Sequence, residues 1–195
     1  MRTVCTLLGT LLVALLCAGV PWHGEAVEAG TAVRMSVADL ATAAQLVVEG
    51  RVLSARPLES EGMIETEYLL RVERTFVGRD LDHRAIRIPG GVLADGRGLF
   101  LAGVPRLAPG EDVLLFLSGE SRRGTRMPVG LAQGKYRVVA RPDGKRALAR
   151  DTRGVALIHP RSGARLPSDS YQVRDYAEVV AEIEAALARA WGEGR

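Results

Sequence analysis

Apolar positions recur along this chain with two different periods, and the switches between them mark its elements. Val37, Leu40, Ala41 and Ala44 fall at i, i+3, i+4 and i+7 behind a Ser36-Val37-Ala38-Asp39 capping box, which predicts a short helix ending near Gln45. Leu46 to Ser54 is rich in β-branched residues and predicts a strand, with Gly50 where it bulges or bends. A polar turn is expected over Pro57–Gly62. From Met63 to Val77 the period is two: Ile64, Thr66, Tyr68, Leu70, Val72 and Phe76 share one face, while Glu65, Glu67, Arg71, Glu73 and Thr75 mostly share the other.

Arg84–Ile88 alternates again and stops at Pro89-Gly90-Gly91, which cannot continue a ladder. Gly90 to Gly110 is then a long glycine-rich loop with an apolar patch at Leu99-Phe100-Leu101, and such length points to a functional or packing role. After a Pro109-Gly110 turn, Val113-Leu114-Leu115-Phe116-Leu117 is an unbroken apolar run, as in a central buried strand. Gly119–Thr125 reads as a basic loop. Tyr136–Arg141 and Lys145–Arg150 flank Pro142-Asp143-Gly144, a hairpin signal in which Gly144 can take the positive φ of the turn. Val155–Ile158 predicts one more strand. The last element is a helix capped by Asp175, with Tyr176, Val179, Val180, Ile183 and Leu187 in one stripe. These elements predict a mainly β, β-rich α+β fold. Its expected form is a small, partly open antiparallel OB-like barrel with a short N-terminal helix and an amphipathic C-terminal helix, an open sandwich being the alternative.

The N-terminus is of another kind. Arg2 precedes an uncharged stretch from Thr3 to Trp22 with a leucine-rich centre, the pattern of a secretory signal peptide. Small residues at the −3 and −1 positions favour cleavage after Ala26 over Ala29; a retained anchor and acylation at Cys17 are the rivals. The expected organisation is a signal peptide over 1–26 and one β-barrel-like domain over 36–190, exported to the periplasm or secreted. Both cysteines, Cys5 and Cys17, precede the cut, so a disulfide, a thiolate nucleophile and a thiolate metal site are all excluded from the mature part.

Of 195 residues 47% are hydrophobic and 25% charged, enough apolar surface to offset the ordering entropy of a packed domain. The net charge of +3 is unevenly spread. Between Arg84 and Arg165 there are sixteen bases and six acids, whereas Ser36–Asp82 has five bases and nine acids. A GC-rich codon bias accounts for the preponderance of arginine; a surface facing anions or a partner is the functional alternative.

Candidate chemistry is sparse. Asp80-Leu81-Asp82-His83 could hold a cation but sits in a turn between strands, and no metal or cofactor is expected. Gly119-Glu120-Ser121-Arg122-Arg123 lacks the second glycine of a nucleophile elbow. Gly130-Leu131-Ala132-Gln133-Gly134-Lys135-Tyr136 is one residue short of a phosphate loop and carries tyrosine where a hydroxyl for magnesium belongs. Glu65 and Glu67 project from one strand face about 7 Å apart, so a carboxylate pair is available, although solvated strand carboxylates are far commoner than catalytic ones. Few aromatics interleave the basic stretch, which argues against nucleic acid as a partner.

Several segments together carry a resemblance: Ala44–Val52, Arg71–Gly78, Ile88-Pro89-Gly90-Gly91, Pro105–Leu117 and Gly130–Tyr136. They are similar to a group of uncharacterised exported bacterial proteins with a small OB-like barrel, over roughly Ser36 to Arg141, and the shared motifs specify turns and core strands, not a reaction. A looser similarity is to netrin-type barrels, including tissue inhibitors of metalloproteinases. Those depend on an N-terminal cysteine and several disulfides that this chain lacks, so no inhibitory residue is carried across.

The resulting expectation is a non-enzymatic envelope module that binds another exported protein, an exported hydrolase among the candidates. Arg97, Leu99, Phe100, Arg122, Arg123 and Arg126 are the expected contacts, drawn from the glycine-rich loop and the arginine-rich loops. The rivals are a hydrolase using Glu65 and Glu67 or His83, and a self-assembling structural component of the envelope. The membrane enters only through an uncleaved presequence.

Overall fold

The computed structural model describes residues 30–167 and 170–192, so the expected signal peptide, its cleavage points and both cysteines lie outside the described residues. In chain order the elements are β1 (Gly30–Val33), α1 (Val37–Ala43), β2 (Leu46–Ser60), β3 (Met63–Val77), β4 (His83–Pro89), β5 (Gly91–Val92) and β6 (Gly98–Leu99). There follow β7 (Asp112–Leu117), a 3₁₀ turn over Leu131–Gly134, β8 (Lys135–Ala140), β9 (Arg146–Asp151), β10 (Val155–Ile158), β11 (Tyr171–Asp175) and α2 (Tyr176–Gly192). The described residues are thus mainly β, with two α-helices.

Seven strands form one antiparallel sheet in the order β11-β9-β8-β7-β2-β3-β4, while β1 pairs in parallel with β10 and β5 with β6 as a short hairpin. Edge strands β11 and β4 do not pair with each other, so the sheet itself is open. Two isolated bridges lie between its arms: Thr125 meets Arg87 of β4 in parallel, and Pro128 meets Leu117 of β7 antiparallel.

β7 explains the arrangement of the core. Its alternate residues Leu114 and Phe116 pack on one side with Val37, Leu40, Val179 and Ile183 of the two helices, and with Tyr136. Val113, Leu115 and Leu117 pack on the other side with Val48, Val52, Tyr68, Leu70, Ile86 and Ile88. A strand covered on both faces has no polar period, which is why its sequence is a continuous apolar run. Burying a side chain such as Phe116, which is fully enclosed, contributes on the order of 2–3 kcal/mol.

The predicted capping box is formed: the Ser36 hydroxyl accepts from the Asp39 amide at 3.1 Å, and the Asp39 carboxylate accepts from the Ser36 amide at 2.9 Å. These bonds hold the Asp39 carboxyl below its usual range. The hairpin around Gly144 (φ 79°) is also formed. Gly50 lies at a register shift between β2 and β3, and a Cβ there would stand 2.3 Å from the Arg71 carbonyl oxygen; glycine lets the two backbones close at the bend.

Two expectations are corrected. Pro57–Gly62 is not a turn: β2 continues to Ser60, Pro57 stands opposite Thr66, and only Glu61 and Gly62 (φ 49° and 75°) reverse the chain. Proline is tolerated because β7 pairs with β2 only over Leu46–Arg51, so its missing N–H falls on an unpaired edge. Glu65, expected on a solvated face, is 1% exposed. The long glycine-rich loop, for which a functional or packing role is expected, is folded back on itself and onto β3 by β5 and β6. Gln133, within the segment that falls short of a phosphate loop, is a buried clasp. Its Oε1 accepts from the Met35 amide at 2.9 Å, and its Nε2 donates to the carbonyls of Val33 at 2.9 Å and Gly130 at 3.1 Å.

Candidate functional site

The residues expected to make contacts fall into two groups. Arg97, Leu99 and Phe100 lie on the β5–β6 hairpin and the chain leaving it. Arg97 is tied to Glu59 at 2.8 Å and Asp95 at 2.9 Å, and Leu99 is half-buried opposite Gly91. Arg122, Arg123 and Arg126 lie on the loop after β7. Arg123 meets Glu61 at 3.3 Å, while Arg126 donates to the Ser118 carbonyl at 2.8 Å and meets Glu120 at 3.1 Å. Arg122 is exposed and forms no hydrogen bond or ion pair among the described residues. Glu59 and Glu61 belong to the end of one hairpin, so both loops are fastened to the β2–β3 tip. Most of these arginines therefore have their charge met within the chain, which lowers their availability to a partner.

Phe100 is different. It is 72% exposed, with the Arg106 guanidinium 5.6 Å from its ring centre, and it stands on the wall of an open cleft of 730 Å³. The floor is the face of β8 and β9 turned away from the helices, where Arg137 stands opposite Ala149. Alanine in a strand centre leaves the floor low, and the loop from Phe100 to Arg106 forms one wall. Tyr171, half exposed on the edge strand β11 and directly opposite Asp151, supplies a second aromatic.

Charge in the cleft is partly cancelled. Lys135 binds Glu111 at 2.8 Å and also donates to the Arg106 carbonyl at 2.8 Å; Arg153 binds Asp151 at 2.6 Å and holds that carboxyl below its usual range. Arg106 and Arg137 have no carboxylate within ion-pair distance among the described residues. Two such guanidiniums beside two exposed aromatic rings favour a ligand surface carrying carboxylates and apolar side chains. Among the described residues no serine, cysteine or histidine lines this cleft.

Sequence reasoning found Phe100 and missed Arg106, Arg137, Arg153 and Tyr171. Alternation along Lys135–Ala140 does put Arg137 on the face opposite Tyr136 and Val138, but that this face lacks a covering helix is a property of the packing.

The carboxylate pair is held otherwise than a catalytic pair would be. Arg87 reaches Glu65 at 3.5 Å and Glu67 at 3.2 Å, and Arg56 binds Glu67 at 2.7 Å. These bonds from Arg56 and then Arg87 keep the Glu67 carboxyl below its usual range, opposite to the direction a general acid needs. His83 is exposed at the start of β4, and among the described residues no three His, Cys, Asp or Glu side chains converge as metal ligands would. No helix among the described residues is long and apolar enough to cross a membrane. Comparison with known protein families, curated proteins and solved structures yields no match to this chain.

Proposed function

We propose that the chain is an exported, non-enzymatic module of the cell envelope, periplasmic or secreted, that binds another exported protein through the cleft beside Phe100. The observation that carries this reading is the exposure of Phe100 next to the Arg106 guanidinium, in a cleft also lined by Arg137, neither arginine having a carboxylate within ion-pair distance among the described residues. A large apolar side chain left in water beside unmatched charge is characteristic of a binding surface, and arginine and aromatic residues dominate binding energy where they are buried by a partner. The partner surface is acidic with apolar anchors. The same reading takes β2, β3, β4, the Thr125–Pro128 stretch and β7 as a small, partly open OB-like barrel, supported by the bridges at Arg87 and Leu117. Export rests on the Met1–Ala26 segment.

Crosslinking in intact cells followed by mass spectrometry tests the interaction. The native chain should capture a partner that a Phe100→Ala, Arg106→Ala variant of unchanged circular dichroism does not. Recovery of the same partners by both would overturn the assignment of the cleft. Amino-terminal sequencing of the purified protein tests export: a start at Val27 supports it, and an intact Met1 in the cytosolic fraction removes it.

A further inference from the structure

On the other side of β9 lies a second cleft, of 490 Å³, enclosed by the β1–α1 link, the chain after β10, and residues of β8, β9, β11 and α2. Arg150 opens into it and is 8% exposed. Arginine is almost never this buried without a carboxylate, because removing its charge from water is costly unless another charge compensates. Here the partners are neutral: Arg150 donates to the Tyr136 hydroxyl at 3.1 Å and to the Gln172 amide oxygen at 2.7 Å. Burial pushes the Tyr136 phenol upward, so it stays a hydroxyl and supplies no negative charge.

The acids on the cleft wall are already engaged. Asp39 is held in the capping box with Ser36, and Glu182 binds Arg174 at 2.9 Å. Two of the five N–H groups of Arg150 are used, and the remaining three have no acceptor among the described residues.

We infer that this cleft binds a small organic monocarboxylate, its two oxygens on the Arg150 guanidinium and its hydrocarbon part against Met35 and Pro160. A planar guanidinium matches a carboxylate through two parallel hydrogen bonds. One positive charge awaits compensation at Arg150, which matches a monoanion better than a doubly charged phosphate. The volume admits a ligand of several carbon atoms, well beyond a lone ion. This site is separate from the Phe100 cleft and does not depend on the function proposed for it.

The test is a titration of the purified full chain with sodium hexanoate, sodium acetate and sodium phosphate at constant ionic strength, followed by amide chemical shifts. Hexanoate should shift the amides of Arg150, Gln172 and Met35 together and saturate, bind more tightly than acetate, and bind more tightly than phosphate. Arg150→Gln should weaken hexanoate at least about tenfold, and Arg150→Lys, which keeps the charge without the fork, should weaken it less. Unsaturable shifts scattered over the surface, phosphate outcompeting hexanoate, or unchanged binding by Arg150→Gln would each overturn the inference. The native chain's shifts and anion preference decide it even if the Arg150 variants do not fold.

Discussion

Tyr176, the first residue of α2, donates its hydroxyl to the buried carboxylate of Glu49 in β2 at 2.6 Å, across 127 residues of sequence. Arg146 completes the cluster, binding Glu49 at 2.8 Å and lying 3.7 Å from the Tyr176 ring centre. The start of the C-terminal helix is thereby locked to the middle of the sheet. Tyr176→Phe should cost about 1–3 kcal/mol, because it removes a donor from a carboxylate that water cannot reach. The loss should shrink in a Glu49→Gln background, where no charge is stranded. Urea unfolding of the two single variants and the double variant measures this coupling.

Alkali should destabilise the fold through two tyrosines. Burial raises both Tyr136 and Tyr176, and at Tyr176 the bond to Glu49 adds to it. A raised phenol contributes stability that is fully present below its unfolded value and is lost as pH rises through the folded one. Unfolding free energy should therefore be level from about pH 6 to about pH 9 and fall above about pH 10. Tyr176→Phe should fall less steeply; an identical slope in that variant would assign the loss elsewhere.

Gly50→Ala should be severe for so small a change. The added methyl would meet the Arg71 carbonyl oxygen, a backbone atom that cannot swing aside, so β2 and β3 would have to part at their bend. The expected cost is about 2–3 kcal/mol, read from the urea midpoint. Gly62→Ala, with open space around it, should cost less despite its positive φ.

Two phenylalanines should separate stability from binding. Phe116, fully enclosed between the helices and the sheet, should cost about 3–5 kcal/mol on change to alanine. Phe100→Ala should leave the unfolding free energy within about 0.5 kcal/mol of the native value, since most of that ring is already in water. A large loss of stability in Phe100→Ala would show that the ring supports its loop, and not a partner.

Local chemistry made much of the secondary structure legible. The Ser36–Asp39 capping box, the Gly144 turn and the stripe from Tyr176 to Leu187 each act within a few residues, so their consequences could be read in place. The reach of β2 past Pro57 could not, because whether a missing N–H matters depends on which strand lies alongside. Nor could β11, whose Tyr171–Asp175 pairing with β9 has only a weak local signal. Of the expected contact residues, most of the arginines met acids from distant segments, such as Arg97 with Glu59 and Arg123 with Glu61.

By itself the sequence determined the periodicities, the caps, the turns and the apolar run of β7, because these depend on backbone sterics and side-chain type over short distances. Tertiary structure alone decided which sheet face stays bare, which arginines find a carboxylate, and that Arg150 is buried beside a hydroxyl and an amide. Those outcomes depend on desolvation and on pairings between remote segments, and both come into being only when the chain has packed.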